Sequence, residues 1–180
     1  MRESRFAEHS CAGDPVATAE ANARGKAIEV LGRTTLACGE IVVGVDTVVT
    51  LDGGVYGKAT GEDEARRFLT ALGGRTHVVL SGLCLAAADG VWSGVEDTAV
   101  TFAPLDDAAI SRYLSCGEWR ERAGAYAIQG VGAALVTAVE GDYWNVVGLP
   151  VALLVDTLRR LGVEPFGWLG AARGVSPRPS

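Results

Sequence analysis

The sequence predicts an α/β protein with a mixed sheet and flanking helices, and three observations carry that prediction. Ile41 to Val49 is a β-branched run, broken at Gly44 and at Asp46-Thr47. Arg75 to Ala87 and Val91 to Phe102 read as a long antiparallel pair turned at Asp89-Gly90. Segments with apolar residues at helical spacing alternate with these strands.

In chain order, Asp14-Pro15 is a helix start, because aspartate accepts orphan amides at the cap and proline suits the first helical position. The alanine-rich stretch from Val16 to Leu31 follows, with Gly32 as its stop. Ile41 to Val49 predicts a strand buried on both faces. Asp52-Gly53-Gly54 predicts a hairpin turn, and Val55-Tyr56 the return. Thr60 is placed to cap a helix through Ala65, Phe68, Leu69 and Leu72, ended by Gly73-Gly74. The long antiparallel pair comes next; His77, within its first strand, reads as a structural histidine. Asp106 opens a helix from Asp107 to about Cys116, with Ile110, Tyr113 and Leu114 on one face. Glu118 to Gly132 reads as a loop and Ala134 to Val139 as a short strand. Val151, Leu154, Val155, Leu158 and Leu161 fall on one face of a last helix, expected to be buried.

Composition bounds the classes of function. The 180 residues are 48% apolar and 21% charged, the balance of one domain with a sizeable core. Residues 1–13 are expected to be a loose front segment, 14–163 the domain, and 164–180 a disordered tail. No apolar run is long enough to cross a bilayer and no signal peptide opens the chain, so a cytoplasmic protein without a membrane partner is expected. The four cysteines show no metal-binding spacing, and only His9 and His77 accompany them, which disfavours zinc. A net charge of −6 disfavours nucleic acid but leaves room for a small anion in a locally cationic cleft.

Asp46 is the chemical anomaly. A carboxylate inside a β-branched run is costly unless paired, hydrogen-bonded or bound to metal. An aspartate salt-bridged at a frayed strand end and a functional acid both fit this pattern. Lys26 and Lys58 are the only lysines. The hairpin returns Lys58 towards the level of Asp46, and an acid converging with an ammonium suits a phosphorylated substrate and a divalent metal. For Lys26, the residues alone suggest a solvated side chain near a helix end.

Together the motifs say more. Gly44-Val45-Asp46-Thr47-Val48-Val49, Gly57-Lys58, Gly74-Arg75-Thr76-His77, Ala123 to Gly130 and Gly141 to Pro150 resemble, in order and spacing, the Maf nucleotide pyrophosphatases. The resemblance runs from about Ala17 to Gly162. It implies the elongated α/β fold shared with inosine triphosphate pyrophosphatases, with a cleft between two lobes. It implies hydrolysis of a nucleoside triphosphate, here dTTP, UTP and related pyrimidine nucleotides, to monophosphate and pyrophosphate, with Mg2+ or Mn2+. Asp46 then stands as proton acceptor and metal ligand. Thr47 and Gln129 fall at substrate-specificity positions, and these side chains resemble the branch acting on dTTP and UTP. Lys26 and Lys58 match lysines near the triphosphate, and Arg122 stands where the family usually has lysine. Gly57-Lys58-Ala59 replaces the family's Gly-Lys-Pro.

The front departs from the pattern. Family members begin with a strand, a Ser-x-Ser-Pro-Arg-Arg loop and a helix, which Ser4-Arg5 and Ser10 do not reproduce. The acidic stretch after that loop is also unmatched. The expectation is therefore an N-terminally truncated member, aggregation-prone or forming a homodimer, with weakened phosphate binding. A nucleotide-binding or interaction protein that no longer turns over is the alternative. A sugar-nucleotide or phosphate-ester enzyme is a third.

Overall fold

The Asp14 carboxylate accepts the Ala17 amide at 2.9 Å, and Pro15 opens helix α1, Pro15–Gly32, as the sequence predicts. The computed structural model describes residues 3–165 except 10, 12 and 38. After α1 come strands β1 (Val42–Leu51) and β2 (Gly54–Tyr56), then helix α2 (Glu62–Leu72). Strands β3 (Thr76–Ala87) and β4 (Gly90–Phe102) follow, then α3 (Asp107–Ser115), a 3-10 turn at Val131–Leu135, and β5 (Val136–Gly141). Short α4 (Tyr143–Val147) and α5 (Val151–Arg160) end the fold. No helix among the described residues is long and apolar enough to cross a membrane.

The sheet runs β2-β1-β3-β4-β5, and every hydrogen-bonded pair among the described residues is antiparallel. The expected mixed sheet is corrected on that point. The parallel relation lies between β2 and β3, which are joined by the α2 crossover but separated by β1. Asp52 and Gly53 both take positive φ, 52° and 77°, as a two-residue hairpin turn matching strand twist demands.

Strand periodicity divides the packing between opposite faces. Gly44, Asp46 and Val48 face α1. A Cβ on Gly44 would lie 2.3 Å from the Ala23 carbonyl oxygen, and one on Gly82 would lie 2.1 Å from that of Ala19. The helix backbone therefore rests directly on the sheet, with Ala19, Ala23 and Ala27 fully buried. On the other face Val49, Leu51, Val79, Val100 and Phe102 meet α2 and α3 through Leu69, Leu72, Ile110 and Leu114. His77 is buried there, edge-on to Phe102 and Tyr126, with Nε2 3.0 Å from the Tyr126 hydroxyl. Burial lowers its pKa to about 4, so the ring is a neutral packing group, as expected.

Several local expectations change. β1 is not covered on all sides: β2 pairs only with Val49–Leu51, so the upstream half of β1 is a sheet edge. Gly61, not Thr60, is the α2 cap, and Glu64 reaches back to the Thr60 amide and hydroxyl at 2.8 and 2.7 Å. α5 forms where expected but has no buried residue, its apolar face being only half covered. The front segment has neither helix nor strand among its described residues, yet it is pinned to α1 rather than loose. Asn22 exchanges hydrogen bonds with both backbone groups of His9, and Glu29 accepts from Ser4 and Arg5. The expected disordered tail lies outside the described residues from 166 onward.

Candidate active site

A cleft of about 400 Å³ straddles the uncovered edge of β1. Because β2 is short, residues on both faces of β1 reach that edge. Asp46 enters it from the α1 side and Thr47 from the α4 side.

Asp46 is buried, and both its oxygens are held. Lys26 Nζ donates to Oδ1 at 2.6 Å, and Asn22 Nδ2 donates to Oδ2 at 3.1 Å. Asn22 and Lys26 lie one turn apart on α1, so one helical face delivers both donors. Lys26 also meets the Glu8 carboxylate at 2.7 Å and the Val45 carbonyl at 3.4 Å. Burial alone would lower the Lys26 pKa, but hydrogen bonds to Asp46 and Glu8 outweigh it and hold the ammonium above its ordinary range. The same contact with Lys26 holds Glu8 below the usual carboxylate range, against the opposing effect of its partial burial. Lys26 therefore lines the cleft bonded to Asp46 and Glu8, and is not the solvated side chain that its helix position suggests.

The mouth of the cleft is cationic and more open. After β2 the chain pairs Lys58 with Ala123, and the Gly124 amide donates to the Tyr56 carbonyl at 2.9 Å. These contacts set Lys58 beside Arg122, both exposed and both lining the cleft. Lys58 makes a loose ion pair with Glu121 at 3.7 Å.

Gln129 stands apart from the other expected site residues. It lines an adjoining cavity of about 440 Å³ whose wall shares Arg122, Tyr126, Val146 and Val147 with the cleft. Glu118 fixes this rim by accepting the Val131 and Gly132 amides at 2.9 and 3.1 Å.

The motif Gly141 to Pro150 acts through α4. Asp142 caps it, accepting the Trp144 amide at 2.8 Å, and Gly148 ends it in the left-handed conformation. Asn145 is fully buried, and its amide donates to the Val79 carbonyl and the Thr98 hydroxyl, each at 3.0 Å. These bonds pin α4 beside Thr47.

Glu8 and Asn22 are the residues that sequence reasoning missed. Asn22 sits four positions before Lys26, a helical spacing that marks a shared face. Glu8 carries no such signal, since only the fold of an irregular segment brings it near.

An α/β sheet with a buried carboxylate and several cations converging at one edge has the makings of a site for an anionic small molecule. A family profile described as Maf-like protein matches residues 1–161, and the chain belongs to that family. Relatives named dTTP/UTP pyrophosphatase include one from Pyrococcus furiosus, 42% identical over 81% of this chain and 75% of its own length. One from Anaeromyxobacter sp. is 50% identical over 72% of this chain and 65% of its own. Another, from Pyrococcus abyssi, is 41% identical over 90% of this chain and 84% of its own.

Proposed function

We propose that this chain hydrolyses dTTP and UTP to the monophosphate and pyrophosphate. The observation that carries the reading is Asp46, buried between Lys26 and Asn22 in a cleft with a cationic mouth, in a Maf-family chain. In the reaction a water oxygen bonds to phosphorus, the bridge between the α and β phosphates breaks, and pyrophosphate leaves. Asp46 takes the water's proton, and positioned general bases typically contribute about a hundredfold or more. Lys26 and Asn22 fix the direction of its lone pairs. Lys58 and Arg122 draw the triphosphate to the mouth and offset its charge. Thr47 and Gln129 meet the base from adjoining cavities.

Asp46 and Glu8 would be the carboxylates to hold a divalent cation, with Lys26 giving way between them. Asp46 and Glu8 converge on Lys26 and offer hard carboxylate oxygens, and Mg2+ commonly takes one or two carboxylates, with substrate phosphates and waters completing its shell. No cluster of three or more acidic, histidine or cysteine side chains suited to a metal occurs among the described residues. When bound, Mg2+ or Mn2+ would neutralise phosphate charge and polarise the reacting phosphoryl group.

The test is to incubate the purified chain with UTP and Mg2+ and identify products by phosphorus NMR. Equimolar UMP and pyrophosphate are expected. Release of single phosphates would contradict the reading, and UTP binding without turnover would favour a nucleotide-binding protein.

A further inference from the structure

Thr47 shares a hydrogen bond with Ser81, which in turn lies beside a backbone carbonyl. Ser81, fully buried on β3 opposite Thr47, has its Oγ 3.3 Å from the Asn145 carbonyl oxygen and 2.8 Å from Thr47 Oγ1. The 2.8 Å contact admits either hydroxyl as donor. A carbonyl only accepts, so at Asn145 Ser81 is the donor, and it has a single hydroxyl hydrogen to give. When Ser81 gives it to Asn145, Thr47 donates to Ser81 and presents only lone pairs to the cleft.

The far end of the chain does not turn. Both amide hydrogens of Asn145 are engaged by the sheet, and its carbonyl also accepts the Gly148 amide at 3.0 Å. The acceptor that orders the chain is thus fixed backbone at the end of α4.

We infer that Ser81 is a positioning residue for base choice, holding Thr47 as a hydrogen-bond acceptor for the imide N3–H shared by thymine and uracil. Cytosine places a lone pair at N3 and would meet the lone pairs of Thr47. A polar site left facing a mismatched polar group rejects the wrong ligand strongly. Ser81 does not line the cleft, so it acts through Thr47 alone. The inference rests on the proposed nucleotide activity and extends it to a residue that touches no substrate.

The experiment measures kcat and KM for UTP and CTP on the full chain, with Ser81→Ala, Ser81→Cys and Ser81→Thr beside the unsubstituted protein. Ser81→Ala frees the Thr47 rotor to donate to cytosine N3. The UTP-over-CTP preference in kcat/KM should fall about tenfold, the equivalent of about 1.4 kcal/mol. The loss should appear mainly as a raised KM for UTP and a lowered one for CTP. Ser81→Thr keeps a hydroxyl and should keep the preference. Ser81→Cys, nearly isosteric but a weak acceptor, should fall between and serves if the alanine variant is unstable. An unchanged preference in Ser81→Ala would overturn the inference, as would an equal fall in kcat on both nucleotides. If the unsubstituted chain released pyrophosphate from neither nucleotide, the proposed function itself would fail, and this inference with it.

Discussion

Asp46 and Thr47 are adjacent in sequence, yet they belong to two faces of the sheet that are packed by opposite rules. On the Asp46 face, small residues let two backbones touch: Gly44 and Gly82 lie under Ala23 and Ala19 of α1. On the Thr47 face, α2, α3 and the 119–135 region bury leucines, Phe102, Trp119 and Tyr126 against the sheet. The first face fails when atoms are added and the second when they are removed. This difference matters for chemistry, because the close-packed face brings Asn22 and Lys26 within hydrogen-bond reach of Asp46. The bulky face supplies most of the apolar burial and holds α4 beside Thr47.

The largest expected effect lies at the point where the faces meet. Asp46→Asn should lower pyrophosphate release from UTP by about a hundredfold or more, since an amide is a poor base. Its melting temperature should stay near that of the parent chain. Near-native turnover in this variant would mean that the proton goes elsewhere.

Leu69→Ala breaks the bulky face by removal. Leu69 is fully buried in α2, and such truncations cost about 2–5 kcal/mol. Denaturant unfolding should show that loss, while turnover per folded molecule stays within about twofold, because no site residue rests on Leu69 alone.

Gly82→Ala attacks the close-packed face by addition. One methyl would have to displace the α1 backbone, an overpacking cost of about 1–3 kcal/mol or more. A stability loss under about 0.5 kcal/mol, within the range of ordinary surface substitutions, would show that α1 yields freely and that the glycine contact does not position it.

A further effect, confined to acid pH, is a pH dependence on the bulky face. His77 has a folded pKa of about 4, below its unfolded value of about 6.5. Between these values the unfolded chain binds the proton and the folded chain does not. Stability therefore falls as pH drops from about 6.5 towards 4, by up to about 3 kcal/mol. His77→Phe should flatten that part of the profile in urea unfolding at stepped pH.

Local signals carried much of the fold. The Asp14-Pro15 start, the Asp52-Gly53 hairpin and the long β3–β4 pair are short-range features, and each stands where the residues put it. The antiparallel pairing of β1 with β3 was not legible, because placing β1 between β2 and β3 is a long-range choice. Nor was α4, whose five residues are too few for periodicity to register. Among site residues, Asp46 was conspicuous as a charge within a β-branched run. Lys26 looked solvated because the register of α1 over Gly44 and Gly82 is a matter of contact, not pattern. Glu8 sits in an irregular segment and became a neighbour of Lys26 only through the hydrogen bonds that tie His9 to Asn22.

The claim that close backbone contact sets the catalytic geometry is tested most directly by comparing turnover of Gly82→Ala and Leu69→Ala on UTP. Both should be assayed well below their melting temperatures and normalised to the folded fraction. A small displacement of catalytic groups can cost up to about a hundredfold, so Gly82→Ala should lose at least about tenfold in kcat while Leu69→Ala stays near the parent. Equal activity in the two variants would contradict the account, because it would show that Asn22 and Lys26 reach Asp46 whatever the spacing between α1 and the sheet.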